Sequence, residues 1–263
     1  AAGKNKISFG LSVYDLGDKK TTRFLERDLD QLGLEVKKHL KEIGRPVRYV
    51  KGKEPRLSSA IVETNGLLES GGEFVLLAAP EKILIGQTEA IQNFKAWSDR
   101  DYGRPARDAK SGMLPPKLAR MMINLSGIDP RGATLLDPFC GSGTVLMEGA
   151  LMGCSQLIGS DISEKAVADT KKNLDWIHSR FSGVEHDGAK ALVKLFVSPA
   201  QTLNEQLTEL VDLLITEVFL GSPRAKTLDQ QEARRLESEL IPLFRDSFES
   251  LATLLKPTSR AVV

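Results

Sequence analysis

Ile7, Phe9, Leu11 and Val13 alternate with Ser8, Gly10 and Ser12, and this period of two predicts a half-buried strand. The period then lengthens. Leu25, Leu29, Leu32, Val36, Leu40 and Ile43 recur every three or four positions, which sets them on one face of a helix that Gly33 can interrupt and Gly44 ends. Val47 to Val50 reads as a short strand, and residues 74–78 and 83–85 flank Ala79-Pro80-Glu81-Lys82 as a hairpin. Residues 58–68 fit a helix or a strand equally well. Strands and helices mixed in this way predict a small α+β domain over residues 1–98.

Residues 99–116 are rich in Pro, Gly and charge and lack an apolar period, which predicts a linker. Pro115 and Pro116 then open a helix through Leu118, Met121, Met122 and Leu125. Beyond it the pattern turns to α/β alternation. Apolar segments at 133–136, 157–158, 211–215 and 261–263 are separated by helical stretches, the last from about Asp229 to Leu255. Such alternation predicts a parallel sheet with helices on both faces over residues 117–263.

One segment carries chemistry. Asp137-Pro138-Phe139-Cys140-Gly141-Ser142-Gly143-Thr144 follows a predicted strand and opens a predicted helix. Gly141 and Gly143 let the backbone turn tightly and approach a ligand, and amides at a helix start favour negative charge. Asp161 ends the next strand, and the 20 residues that separate it from Gly141 are the spacing at which an acid accepts bonds from ribose hydroxyls. A dinucleotide site would place a third glycine where Leu146 stands, which disfavours NAD.

Composition narrows the class. With 41% hydrophobic and 27% charged residues the chain is not disordered or collagen-like, and no apolar run approaches the roughly 18 residues of a membrane span. The start lacks the apolar core of a signal peptide, so the expected location is cytoplasmic. Two cysteines and three histidines, none at ligand spacing, predict neither disulfides nor a metal. Residues 1–112 carry 20 basic and 16 acidic side chains, the remainder 16 and 19. A polyanion would therefore prefer the first half, where Arg45, Arg48, Lys51, Lys53 and Arg56 either contact phosphates or form a solvated face. Arg104 and Arg107 either contact RNA or tie the two domains together.

The motif from Asp137 to Thr144 resembles the class I S-adenosylmethionine methyltransferases, in the branch that methylates exocyclic amino groups. The run from Arg100 to Asp108, continued by Gly112-Met113-Leu114-Pro115-Pro116-Lys117-Leu118-Ala119, is similar to the THUMP-domain tRNA guanine-N2 methyltransferases that act at guanine ten. The resemblance implies a Rossmann-like methyltransferase sheet preceded by the later part of a THUMP-like RNA-binding domain. The ferredoxin-like region that normally precedes falls outside the sequence, which ends in the fifth strand. It also implies S-adenosylmethionine as cofactor and tRNA as partner. Asp137 takes the place near the methionine amino group, Asp161 the ribose, and Asp187, after an expected third strand at 184–186, the adenine amino group, while Ile162 beside Asp161 is a further cofactor contact.

The catalytic motif departs from the family. Where members carry Asp-Pro-Pro-Tyr, this chain reads Thr216-Glu217-Val218-Phe219-Leu220-Gly221. Glu217 is expected to accept a hydrogen bond from the target amine and Phe219 to stack on the base. That departure keeps two other readings open, a tRNA-binding protein without turnover and a DNA amino methyltransferase.

Overall fold

The structure is a computed structural model that describes residues 6–107, 112–181, 190–221 and 229–263. The chain divides into two compact units, residues 1–96 and 97–263.

In the first unit the alternating segment forms β1 (Ile7–Asp15), followed by α1 (Lys19–Glu42), which Asp18 caps by accepting from the Lys20 and Thr21 amides. Strands β2 (Val47–Val50), β3 (Gly72–Ala79) and β4 (Lys82–Gln87) complete a sheet in the order β2-β1-β3-β4. β1 pairs parallel with β2 and β3, and β3 turns back into β4 through Pro80 and Glu81. Leu25, Leu29, Val36 and Leu40 pack on Phe9, Leu11 and Val13 as expected. Leu32 instead remains exposed at the margin of the apolar stripe, and Ile43 is exposed because α1 ends at Glu42, just before it. Nor does Gly33 interrupt the helix. It gives room to Tyr49, whose ring carbons would lie within 2.6 Å of a Cβ built there. On the opposite face α2 (Ser59–Thr64) resolves the ambiguous stretch as a helix capped by Ser58, with Val62 packed beside Val50, Leu57 and Leu67.

Between the expected domains the chain forms α3 (Phe94–Ser98) and one π-helical turn, Asp99–Gly103. Residues 100–106 do not behave as a linker. Arg100, Arg104 and Ala106 are buried in the second unit, since their polar groups find partners there that a solvated linker would not supply.

The second unit holds α4 (Pro116–Leu125), β5 (Thr134–Asp137), α5 (Thr144–Leu151), β6 (Gln156–Asp161), α6 (Glu164–Arg180), β7 (Leu192–Val197), β8 (Val211–Ile215), α7 (Gln230–Ala252) and β9 (Leu255–Val262). Its sheet runs β7-β6-β5-β8-β9 with every pairing parallel. Consecutive strand residues serve opposite faces. Leu135, Leu157 and Leu213 join Val145, Leu146 and Ile177 on one side, while Leu136, Ile158 and Leu214 join Leu203, Leu251 and Leu254 on the other. Burial on both faces explains why these strands read as unbroken apolar runs. The expected strand at 184–186 and Asp187 lie outside the described residues. The strand that pairs with β6 is β7, and the residue that follows it is Ser198. No described helix is long and apolar enough to cross a membrane.

From β5 the chain steps outward to β6 and β7, then returns to β5's other side for β8. Strand order therefore reverses beside β5, and the carboxyl ends of β5, β6 and β8 open a crevice there.

Candidate active site

The crevice is a cavity of about 960 Å³, and Asp137, Gly141, Thr144, Asp161, Ile162, Glu217 and Phe219 all line it. Of the cofactor and catalytic candidates these converge, whereas Gly143 is not part of the lining and Asp187 lies outside the described residues. A larger apolar hollow of about 1150 Å³ along α6 and β7 holds none of them.

Asp137 ends β5 at 2% exposure. Its Oδ1 accepts from the Thr216 hydroxyl at 2.7 Å and the Phe139 amide at 3.2 Å. Burial pushes its pKa up to about 7, outweighing both bonds, and the neighbouring carboxylates of Asp161 and Glu217 push in the same direction. A cation in the cavity would reverse this balance by favouring the ionised acid.

The turn after β5 is shaped by what lies beneath it. Gly143 has φ +84°, and a Cβ there would sit 2.8 Å from Thr170 Cγ2. Only glycine meets both conditions. Gly141, at φ +51°, has nothing within 4 Å of a notional Cβ, so its backbone lies open to the cavity. Its amide donates to Asp161 Oδ2 at 3.1 Å, while the Ser163 amide donates to Oδ1 at 2.9 Å. Two backbone bonds orient that carboxylate and leave it further lone pairs for hydroxyl donors. Ile162 is 77% exposed and supplies an apolar wall beside it. Ser198, at the end of β7, also lines the cavity and occupies the strand-end position expected of Asp187. Cys140 is buried with its thiol pKa raised by burial, an inert packing residue of the turn.

Sequence reasoning missed the residues that brace the turn. Thr170 donates to the Gly141 carbonyl at 2.8 Å, and Asn173 donates to the carbonyls of Ser142 at 2.8 Å and Ala106 at 2.9 Å. The available signal was two polar residues three apart on the buried face of α6. Glu148 on α5 was missed as well. It is fully buried and pairs with Arg100 at 2.7 Å and Arg120 at 3.0 Å, while Arg100 stacks 4.1 Å from the Trp97 ring centroid.

Arg104, expected on RNA or between domains, is only 3% exposed and donates to the Thr144 hydroxyl at 2.7 Å. Burial removes it from any phosphate. Arg107 is exposed and lies over the Tyr102 ring. Arg48, Lys51, Lys53 and Arg56 are exposed in the first unit, with Lys51 paired to Asp30 at 3.0 Å and Arg56 over the Tyr14 ring. Glu217, Phe219 and Leu220 are exposed at the cavity rim. No cluster among the described residues has the make-up of a metal site.

An acidic cavity with an apolar wall, an open glycine backbone and a carboxylate set for hydroxyls fits a cationic nucleoside such as S-adenosylmethionine. In that fit Asp137 would face the positive charge, Asp161 the ribose and Ile162 the purine.

The chain is similar to known proteins. Over 153 residues the chain is 32% identical to the tRNA (guanine(10)-N2)-dimethyltransferase of Methanocaldococcus jannaschii, covering 55% of this chain and 40% of that protein. Over 161 residues it is 43% identical to the Pyrococcus abyssi protein of the same name, covering 58% and 43%. A Methanothermobacter thermautotrophicus protein of that name is 39% identical over 110 residues, covering 42% and 28%. The chain thus spans less than half the length of these relatives. Its fold is that of the crystal structure of TrmN from Thermus thermophilus, with a TM-score of 0.53 at 19% identity over 97% of this chain and 60% of that one. The family model UPF0020, the RMKL-like methyltransferase domain, matches residues 104–250, more than half of the sequence. The chain belongs to the RMKL-like methyltransferase family, whose methyl donor is S-adenosylmethionine.

Proposed function

We propose that this protein transfers a methyl group from S-adenosylmethionine to the exocyclic N2 amine of a guanine in tRNA, guanine ten by likeness to its relatives. The observation that carries the reading is the placing of Glu217 and Phe219 on the same cavity as Asp137 and Asp161. In this reading the first unit is a THUMP-like RNA-binding region and Arg48, Lys51, Lys53 and Arg56 meet tRNA phosphates. The site of action is the cytoplasm, where tRNA is modified.

When bound, the cofactor supplies an electrophilic methyl on a sulfonium. The residues of this chain do the rest. Asp137 in its ionised form holds the cationic amino-acid end, and Asp161 accepts from the ribose hydroxyls. A purine-conjugated amine is a poor nucleophile. Glu217 accepts a hydrogen bond from that amine, which localises its lone pair for in-line attack, and subsequently takes the proton that the methylated amine releases. Phe219, 52% exposed at the rim, stacks on the extruded base and aligns it.

The test is mass spectrometry of nucleosides after incubating the chain with transcribed tRNA and S-adenosylmethionine. N2-methylated guanosine is expected from the wild type, and Glu217→Ala should slow its formation on the order of 10²-fold, or about 3 kcal/mol. Undiminished methylation by Glu217→Ala removes that residue from the mechanism. If wild type binds tRNA and S-adenosylhomocysteine but methylates no tRNA, the protein is a binding protein.

A further inference from the structure

Arg104 is 97% buried, yet no carboxylate among the described residues lies within ion-pair reach of its guanidinium, and its Nε has no hydrogen-bond partner. Its neighbour one turn earlier, Arg100, shows how the fold ordinarily treats such a group. Arg100 grips the same helix, but through a counter-ion of its own, Glu148 at 2.7 Å. Taking a cation out of water without a counter-ion is costly. Burial accordingly pulls the Arg104 pKa down, offset only in part by the more distant charge of Asp101. A structural tie between the 99–107 segment and α5 requires no such cost, because a neutral donor would serve.

What Arg104 touches explains the charge. Nη1 donates to Thr144 Oγ1 at 2.7 Å and Nη2 to Met113 Sδ at 3.1 Å, and both of those residues line the cavity that holds Asp137 and Asp161. Because the Thr144 hydroxyl already accepts from Arg104, its own proton is left to donate. Thr144 is also the first residue of α5, whose N-cap Gly143 contributes no side-chain bond to the amides that open the helix. A hydroxyl proton and an uncapped helix start therefore meet on one wall of the cavity, with a buried positive charge directly behind the hydroxyl. All three favour an anion.

We propose that Arg104 is a positioning residue for the carboxylate at the amino-acid end of the cofactor, setting Thr144 and Met113 in the cavity wall and supplying positive potential through the Thr144 hydroxyl. The assignment rests on the cofactor reading given above. It splits the recognition of a zwitterionic amino acid between two buried groups, Asp137 for the ammonium and the Arg104–Thr144 pair for the carboxylate.

Calorimetry with two ligands separates this role from a structural one. S-Adenosylhomocysteine carries the carboxylate, and its decarboxylated analogue, S-adenosyl-3-thiopropylamine, lacks only that group. Wild type should prefer S-adenosylhomocysteine by about 10- to 100-fold, the range of a charge-assisted hydrogen bond. Arg104→Gln should weaken S-adenosylhomocysteine by a similar factor and the analogue by less than about threefold, so that the preference collapses. Equal weakening of both ligands, or no weakening of either, overturns the proposal. Should Arg104→Gln fail to fold, Thr144→Val decides the matter: the preference must narrow by at least about threefold, and an unchanged preference overturns the proposal. A wild type that binds both ligands equally well overturns this inference alone. One that binds neither overturns the cofactor reading along with it.

Discussion

The glycine turn after β5 and the segment after β8 line one cavity, yet side chains from three parts of the chain hold the first, while the second is held at Thr216, whose hydroxyl donates to Asp137 and whose amide donates to the Val262 carbonyl. Thr170 and Asn173 from α6, Asp161 from β6 and Arg104 from the 99–107 segment all bond to residues 141–144. Across the cavity Thr216 bonds to Asp137, whereas among the described residues the side chains of Glu217, Phe219 and Leu220 form no hydrogen bond, ion pair or ring contact. The cofactor end is therefore arranged before any ligand arrives. On the proposed function the acceptor end would take its final arrangement from the base and the RNA around it, with part of the substrate's binding energy used to order it.

The heaviest blow to the braced side should come from Glu148→Ala. Arg100 would be left buried against Trp97 without its counter-ion, and the expected loss is about 3–5 kcal/mol of unfolding free energy, read from the urea midpoint. A loss below about 1 kcal/mol would mean that α5 is not anchored there and that the contrast is overstated.

Next in size is a pair of opposed pH effects at Asp137. Its folded pKa of about 7 lies above the ordinary 3.8, so the native state holds a proton that the unfolded chain releases. Stability should accordingly fall as pH rises from about 4 to 7, by up to about 1.4 kcal/mol per unit, and level off above. Affinity for S-adenosylhomocysteine should run the other way, because its ammonium selects the ionised acid: about tenfold tighter per unit up to pH 7, then constant. Asp137→Asn should abolish both slopes. Urea titrations and calorimetry across that range, with the variant subtracted to cancel other carboxylates, give the answer. A variant that retains the slope in affinity would move the ammonium site elsewhere.

The smallest effect should be on the loose side. Phe219→Ala is expected to change unfolding free energy by less than about 0.5 kcal/mol and S-adenosylhomocysteine affinity hardly at all, while slowing methyl transfer. A loss of several kcal/mol would show the rim to be as firmly built as the turn.

This contrast also marks how far the sequence could be read. The turn and its acid were legible because strand, glycines, helix and Asp161 follow one another within a single β-α-β unit. Its braces were not. Arg104 and Thr144 are 40 residues apart and Arg100 and Glu148 are 48 apart, and such pairings leave no periodic trace. Arginines set among Pro and Gly read as solvated, so a buried clamp was taken for a linker. A similar limit hid Gly33, whose reason is a ring on another element, Tyr49. The third strand was sought at 184–186, although Leu192, Val193, Leu195, Phe196 and Val197 carry the apolar pattern. Lys194 within that run reaches Glu209 at 2.6 Å, which is how an edge strand accommodates a charge.

The bond from Thr216 to Asp137 places unequal burdens on the neighbouring positions. Position 216 anchors the acceptor segment and holds the cofactor's acid at once, so an altered residue there is exposed to selection through both roles. Glu217, Phe219 and Leu220 project exposed beyond that anchor, and on the proposed function a change at one of them would be felt by the incoming base more than by the folded chain. A lineage with this arrangement can exchange one acceptor for another by drift along four residues and keep its methyl-donor site intact.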